Sequence, residues 1–328
     1  MTELISVSAV IPAYNCAHTL ERAVGSLIRQ TYPVMEIIIV NNNSTDNTQL
    51  IIEKLHKENP LLIIPLNENL PGANNARNKG LKIAQGKWIQ LLDADDELLE
   101  NKIKIQVQLI AENPNADVIY SGSKMIYRDI LSNKNRNFNK NISRDIITGL
   151  ITSHAGNTIA NLWKHDILKK ANLFDSNEYS SQEYYLMLEI FSQDGNFVPD
   201  YNFNSLVYVV EESVSRSKTP LKSLEIAENI IKLVIKLKDI LHHKNIYHYN
   251  KLITRQISKM YFSEYLEHKG TLSHELEIIN KKYQIKAPLY QRLIIYSHFI
   301  YGKYCPKSGI LKYPAFALNF VFRLNKLI

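Results

Sequence analysis

The chain has 328 residues, of which 45% are hydrophobic and 22% charged, and its formal net charge is +7. This composition is typical of an ordinary globular protein with about two domains. No apolar stretch approaches the roughly 20 residues that cross a bilayer, and the two cysteines, Cys16 and Cys305, have no metal or redox spacing, so we expect neither a membrane span nor a disulfide framework. The first residues lead into a strand pattern instead of a signal peptide, so we expect a cytoplasmic protein.

The first 92 residues alternate between strand and helix patterns. Strands are predicted at 6–12, 36–41, 61–65 and 87–92, and amphipathic helices at 17–30, 46–59 and 73–85. Such alternation predicts an α/β fold with a mainly parallel sheet flanked by helices on both faces. Ligands of these sheets bind beyond the carboxyl ends of the strands. One of those ends carries the acidic segment DADDE, at 93–97.

The positive charge lies in the C-terminal third of the chain. Residues 219–328 carry 18 Lys/Arg against 7 Asp/Glu, whereas residues 1–218 carry 21 against 25. Strand-like runs also stop near residue 212, and a helical spacing of apolar residues begins at Pro220. We therefore predict one domain at 1–218 and a basic helical extension at 219–328.

The DADDE segment suggests a cation site. If the segment is extended, Asp93 and Asp95 point to the same side. Two converging carboxylates are stabilised by a cation between them, and their oxygens favour Mn²⁺ or Mg²⁺ whose remaining ligands are substrate phosphates. The alternative is that these acids favour the N-terminus of a following helix. The segment alone leaves both interpretations open.

Three further segments precede DADDE in order, namely VIPAYN (10–15), NNNSTDNT (41–48) and GANNARNKG (72–80). Together the four resemble the family 2 glycosyltransferases, which have the GT-A fold, a Rossmann-like domain that binds nucleotide sugars. The resemblance covers residues 6–121 in detail and 140–215 more loosely. It implies an inverting, metal-dependent transfer of a sugar from a nucleotide donor.

The resemblance also implies a set of donor-binding residues at the strand ends: Pro12, Ala13, Tyr14, Asn42, Arg77, Asp93 and Asp95. Within this set Asn42 would recognise the base, Arg77 would reach the nucleotide, and Asp95 would bind the Mn²⁺ or Mg²⁺ ion. The family commonly has an acidic pair where this chain has Asn41 and Asn42. An amide oxygen can still accept a hydrogen bond from a ring N–H, so a UDP-linked donor remains compatible. The alternative is that NNNSTD is simply a turn.

The resemblance places the catalytic base at an acidic pair that opens a later helix. The matching stretch, SSQEYYLMLEIF (180–191), has Gln182 and Glu183 at that point, so only Glu183 can be the base. Ser180 to Glu183 also fits the S-x-x-E capping box, in which the glutamate merely satisfies a backbone N–H. Both interpretations stay open at this stage.

Other candidates carry a weaker signal. His154, Asn157 and Trp163 lie in a segment that resembles the acceptor-side strand, although a buried Trp in the core and a solvated loop His are the alternatives. Arg216 lies where the family often has a basic loop that closes over the diphosphate.

The last 51 residues, 278–328, contain no acid, nine Lys/Arg, six Tyr and four Phe. This pattern favours contact with an anionic membrane surface, and packing on the catalytic domain or on a second subunit of a homo-oligomer is the alternative. No recognised base-reading module accompanies the charge, so we expect no nucleic-acid partner.

These observations predict a cytoplasmic enzyme, peripheral at the inner face of the membrane. It would transfer a sugar from a nucleotide donor, UDP-linked by preference, to a growing cell-surface glycan or a lipid-linked saccharide. Two alternatives remain. One is a sugar nucleotidyltransferase, whose glycine-rich basic loop is missing after the first strand, and the other is a scaffold that keeps the donor pocket without turnover.

Overall fold

The structure, a computed structural model, describes residues 4–128, 135–176, 180–209, 219–268 and 271–285. The chain divides into two compact units, Met1–Arg216 with Asp239–Lys244, and Ser217–Lys238 with Asn245–Ile328. The assignment of 1–218 and 219–328 as domains stays a prediction. Arg216, Cys305 and residues 286–328, most of the acid-free stretch at 278–328, lie outside the described residues.

The first unit begins with the predicted alternation of strands and helices. Its elements up to the acidic segment are β1 (Val7–Ala13), α1 (Leu20–Ile28), β2 (Glu36–Asn41), α2 (Thr48–Glu58), β3 (Ile63–Asn67), α3 (Ala73–Ile83) and β4 (Trp88–Leu91). The later elements are β5 (Glu97–Leu98), α4 (Lys102–Glu112), β6 (Val118–Ser121), β7 (Ser123–Arg128), β8 (Asn135–Lys140), α5 (Ile146–Thr152), β9 (Leu162–Lys164), α6 (His165–Lys170), α7 (Gln182–Ser192), β10 (Phe197–Asp200) and β11 (Ser205–Val209).

Seven of these strands form one sheet in the order β10-β6-β9-β4-β1-β2-β3. Every pair is parallel except those made by β9, which runs antiparallel to both β4 and β6. The predicted α/β fold with a mainly parallel sheet flanked by helices is therefore confirmed.

A second, four-stranded sheet with the order β5-β11-β7-β8 was not predicted from the sequence. Its strand β11 is antiparallel to β5 and parallel to β7, which in turn pairs antiparallel with β8. The sheet brings the residue pair after DADD, in β5, next to the strand that ends at Val209.

The core lies between the large sheet and its helices. All six residues of β2, EIIIVN, are buried, as expected for a parallel strand that is covered on both faces. Helix α3 packs close to β1 because it has a glycine at the contact. A Cβ added at Gly80 would lie 2.5 Å from a methyl carbon of Val10. This close approach sets the distance of α3 from the sheet.

The second unit is helical, as the apolar spacing after Pro220 predicted. Helices α8 (Pro220–His243), of which the residues up to Lys238 belong to this unit, α9 (Asn250–His268) and α10 (Ser273–Tyr283) supply most of its described residues. A small core joins Leu224 and Ile231 to Tyr261 and to Leu276 and Ile279 of α10. None of the helices described in either unit is both long enough and apolar enough to cross a membrane.

Candidate active site

The carboxyl ends of β1, β2 and β4 lie side by side. Ala13 pairs with Asn41, and Val10 pairs with Leu91. The residues that follow these strands, Tyr14, Asn42 and Asp93, are therefore brought to one edge of the sheet. Tyr14 is 62% exposed at this edge, Pro12 is half-buried and Ala13 is buried. The structure thus gathers the residues that the sequence resemblance assigns to the nucleoside pocket, and their roles stay predictions.

The loops after β1 and β2 are fastened to each other. Asn15 N–H donates to Ser44 Oγ at 3.1 Å, and Thr45 N–H donates to Asn15 Oδ1 at 2.8 Å. Asp46, which we expected to be the first helical residue, precedes α2 and accepts from Thr48 N–H at 3.0 Å. The short polar side chains of NNNSTD therefore do form a turn, and this turn holds the two strand ends in a fixed relation.

Asn42 holds the loop between β3 and α3. Its Nδ2 donates to the carbonyl oxygens of Glu68 (2.8 Å) and Leu70 (2.7 Å), and its Oδ1 accepts from Gly72 N–H (2.8 Å). The residue is only 5% exposed. An aspartate could not donate either of the first two bonds. The departure from the family's acidic pattern therefore suits this loop, whereas recognition of the base by Asn42 stays a prediction.

Arg77, on α3, connects the acidic segment to helix α7. Its Nη2 lies 2.7 Å from Asp93 Oδ1, and its Nη1 lies 2.7 Å from Gln182 Oε1 and 3.2 Å from Asn74 Oδ1. The residue is 6% exposed, and its guanidinium lies 5.6 Å from the ring centroid of Phe174. The structure therefore places a bridge here, and direct contact between Arg77 and a nucleotide stays a prediction.

The DADD segment is a turn, and our expectation of an extended segment is wrong. Strand β4 ends at Leu91, and Asp96 N–H donates to the carbonyl oxygen of Asp93 at 3.1 Å. Side chains two apart do not alternate in a turn as they do in a strand. The alternative of a helix N-terminus is also wrong, because the chain enters β5 at Glu97 and α4 begins only at Lys102.

The protein itself compensates much of the negative charge at this turn. Asp93 contacts Arg77, and Glu97 Oε1 lies 3.0 Å from Nε of Arg22 on α1. Burial, with the nearby charges of Asp93 and Asp95, raises the pKa of Asp96 to about 9, so Asp96 is protonated at neutral pH. Burial, and then the charge of Asp93, also raises the pKa of Asp95. Two arginines and one neutral carboxyl therefore make the four-acid segment tolerable.

The remaining carboxylates suit a cation that is shared with phosphates. Among the described residues, no three His, Cys, Asp or Glu side chains are grouped so that they could enclose a metal ion. The side chain of Asp93 is 36% exposed, and Asp95, two residues further along the turn, is partly exposed. One or two open carboxylates match Mg²⁺ or Mn²⁺, whose other ligands are usually phosphate oxygens and water. Asp95 and Asp93 therefore fit the cation that the resemblance implies.

Glu183 lies in the first turn of α7. Burial raises the pKa of its carboxyl, while the positive charges of Lys140, on β8, and Arg77 act in the opposite direction. Helix α7 begins at Gln182, and its N-cap is Ser181 in the left-handed region at φ 54°. Ser180 therefore lies one residue before the cap, so the capping-box alternative is wrong. A carboxyl with a raised pKa suits a general base, and this role of Glu183 stays a prediction.

The three weaker candidates differ in accessibility. His154 is exposed, and its Nδ1 lies 2.7 Å from the carbonyl oxygen of Thr152. Asn157 donates to Ser123 Oγ and accepts from Ala160 N–H, so its amide shapes the loop before β9. Trp163 is fully buried between β4 and β6, and the expectation that it contacts an acceptor is corrected to a role in the core. His154 and Asn157 stay predictions.

Sequence reasoning missed three residues of this site. Arg22 lies on α1, outside the motifs and directly after Glu21, so its charge looks like that of any solvated helix residue and gave no signal. Gln182 was noticed as a departure from the family pattern, but not as the partner of Arg77. Lys140 belongs to β8 of the second sheet. The sequence of that strand, NRNFNK, has no clear alternation of apolar residues.

Comparison with known proteins gives a consistent result. The family described as Glycosyl transferase family 2 matches residues 8–163. The chain is 32% identical over 128 residues to the Escherichia coli protein UDP-Glc:alpha-D-GlcNAc-diphosphoundecaprenol beta-1,3-glucosyltransferase WfgD. The aligned region covers 39% of this chain and 49% of WfgD. The chain is 43% identical over 104 residues to the related E. coli enzyme WfaP, covering 32% and 41% respectively. The chain therefore matches less than half the length of these curated relatives.

Solved structures share the fold at low sequence identity. The S. aureus protein TarS 1-349, solved with UDP-GlcNAc, aligns at a TM-score of 0.59 with 16% identity, over 90% of this chain and 92% of that one. The mannosyltransferase PcManGT from Pyrobaculum calidifontis, solved with GDP-Man and Mn2+, aligns at 0.58 with 15% identity, over 97% and 86%. The family match, the sheet order and these neighbours agree: residues 8–163 match the model of glycosyl transferase family 2, and the chain has the GT-A fold of the solved neighbours.

Proposed function

We propose that this protein is an inverting, metal-dependent glycosyltransferase that moves a sugar from a UDP-linked donor to a lipid-linked saccharide or a growing surface glycan. Ala13, Tyr14 and Asn42, at the strand ends, would bind the donor. Asp95 and Asp93 would bind the cation, and Glu183 would be the base. The basic extension would hold the enzyme at an anionic membrane surface, where such acceptors are found.

One observation carries the proposal, namely the bridge that Arg77 makes between Asp93 and Gln182. The bridge ties the acidic turn, where a diphosphate and its cation would lie, to the helix turn that contains Glu183. A transfer reaction needs its leaving group and its base on two sides of one reacting carbon. A protein that only binds a nucleotide needs the first of these two parts, and has no use for a fixed distance to a raised-pKa carboxyl.

The residues allow a balanced reaction. The oxygen of an acceptor hydroxyl attacks the anomeric carbon, the bond from that carbon to the diphosphate oxygen breaks, and UDP leaves with the bonding electron pair. Glu183 takes the proton of the attacking hydroxyl. A bound Mn²⁺ or Mg²⁺ ion would supply charge neutralisation for the leaving diphosphate. Arg77 holds Asp93 in place and puts a positive charge between the acidic turn and the first turn of α7.

The choice of donor and acceptor rests on the relatives. The names of the two E. coli enzymes state a UDP-Glc donor and a diphosphoundecaprenol-linked acceptor. A Campylobacter jejuni protein, 30% identical over 138 residues, is likewise named as a beta-1,3-glucosyltransferase acting on a PP-undecaprenol saccharide. We therefore place the acceptor of this chain in the class of polyprenyl-diphosphate saccharides.

The test measures UDP release from a panel of UDP-sugars, with and without Mn²⁺, in the presence of polyprenyl-diphosphate-linked saccharides. The expected result is acceptor-dependent release of UDP and a product that is larger by one sugar. Release of pyrophosphate instead would indicate a nucleotidyltransferase. Tight UDP binding without release from any donor and acceptor pair would favour the scaffold.

A further inference from the structure

Arg22 touches the acidic turn at several points at once. Its Nη2 donates to the main-chain carbonyl oxygen of Asp95, and its Nε lies 3.0 Å from Glu97 Oε1. Its guanidinium carbon also lies 3.9 Å from the ring centroid of Tyr208 on β11. One side chain on α1 therefore contacts the residue that would bind the cation, the strand β5 that leaves the turn, and the strand β11 that pairs with β5.

The turn is joined to β11 by a second set of contacts. Tyr208 N–H donates to Asp96 Oδ1 at 2.8 Å, and Leu206 of β11 pairs with Glu97 of β5. The side chains of Asp96 and Glu97 thus already have partners within the protein, namely Tyr208 N–H and Arg22. Within the turn, Asp95 is the residue whose main-chain carbonyl accepts a hydrogen bond from a side chain of another element, Arg22 of α1.

From these contacts we propose that Arg22 is a positioning residue of the cation site. It fixes the main chain at Asp95, so that the Asp95 carboxylate is held in place before the nucleotide and its cation arrive. This inference rests on the proposed function, because it gives Arg22 a task only if Asp95 binds a cation together with a donor diphosphate. The planar fork of arginine suits the task, since it binds a carbonyl, a carboxylate and an aromatic face together.

Charge and position make opposite predictions for this residue. By Coulomb attraction alone, a positive side chain beside a cation site weakens cation binding, so its removal should strengthen that binding. If Arg22 acts by holding the turn, its removal should weaken cation binding in spite of this effect. The sign of the change therefore separates the two explanations.

The experiment is a calorimetric titration of the full-length protein with UDP, with and without MnCl₂. We expect Arg22→Lys, which keeps the charge but loses the fork, to weaken Mn²⁺-dependent UDP binding by about tenfold, the equivalent of one hydrogen bond to a charged group. Arg22→Gln should weaken it as well. Neither variant should change UDP affinity without metal. The matched control is Lys54→Gln on α2. It removes an exposed contact of 2.7 Å between Lys54 Nζ and Oε1 of Glu21, the residue next to Arg22 on α1.

Four results would overturn the proposal. The first is unchanged or tighter Mn²⁺-dependent binding in Arg22→Lys and Arg22→Gln, and the second is an equal loss of affinity with and without metal. The third is loss of folding in both variants, which would assign Arg22 to the fold alone. The fourth is a wild-type protein whose UDP affinity is the same with and without Mn²⁺. This result would remove the metal from the proposed function, and the proposal for Arg22 with it. A metal-dependent wild type with unaffected variants would overturn the role of Arg22 only.

Discussion

Replacement of Glu183 by glutamine is the most direct test of catalysis. Glutamine keeps the size of the side chain but cannot accept a proton. We therefore expect transfer to fall by roughly 10²-fold or more, the usual contribution of a positioned general base, or about 2.7 kcal/mol of transition-state free energy. UDP binding should persist, because Glu183 belongs to α7 and not to the strand ends that gather the donor residues.

The structure also predicts that this substitution costs little stability. Ser181 occupies the N-cap position of α7 without a side-chain capping hydrogen bond, and Glu183 is the second residue of the helix, so its side chain takes no part in a capping box. Burial raises the pKa of Glu183, which means that the protein environment already disfavours the charged form, and a neutral amide should be accommodated. The melting temperature of the variant should therefore stay close to that of the wild type.

The pH profile gives an independent measurement. A base is active when it is deprotonated, so wild-type transfer should fall as the pH drops through the pKa of Glu183, which lies above the ordinary range of a glutamate. The residual activity of Glu183→Gln should lack this acid limb. Glu189→Gln, on the same helix, is the matched control and should keep both rate and profile. Near-normal transfer by a folded Glu183→Gln variant, measured beside its melting temperature, would refute the assignment of the base.

Three further predictions concern the metal, the loop and the tail. Asp95→Asn should abolish the effect of Mn²⁺ on UDP affinity in calorimetry without loss of folding, and an unchanged effect would contradict cation binding at Asp95. Asn42→Asp should destabilise the protein by about 1–3 kcal/mol, because it leaves two carbonyl oxygens without donors, and the melting temperature should drop more than for Asn43→Asp, which affects one exposed bond to the same loop. Removal of the residues after Ile285 should abolish sedimentation with anionic liposomes while leaving α10 intact, and equal sedimentation of both proteins would favour a packing or oligomer role for the tail.

The sequence predicted the parallel half of the fold because its signals are local. Each strand from β1 to β4 is a short apolar run, and each is separated from the next by a helix-period pattern or a polar turn. The reversed strand β9 gave no such signal. It has three residues, and its place between β4 and β6 depends on pairings with residues more than forty positions away.

The same distinction holds for the candidate site. Motif residues such as Asp93 and Asn42 could be found because they follow strands, and the strand ends meet at one edge. Their partners could not be found in this way. Arg22 and Tyr208 reach the acidic turn from elements at opposite ends of the first unit, and the assumption of an extended DADD segment hid the turn that they hold.

The substitutions that depart from the family's acidic pattern have physical reasons in this chain. Asn42 donates two hydrogen bonds that an aspartate could not make. Gln182 offers Arg77 a neutral acceptor, whereas an acid there would add a negative charge beside Glu183 and raise the pKa of that carboxyl further. With glutamine, more of the positive charge of Arg77 acts on Glu183 and favours its ionised form, the form in which a base works. Neither substitution is therefore an argument for lost turnover, and the scaffold alternative must be judged by the assay of UDP release.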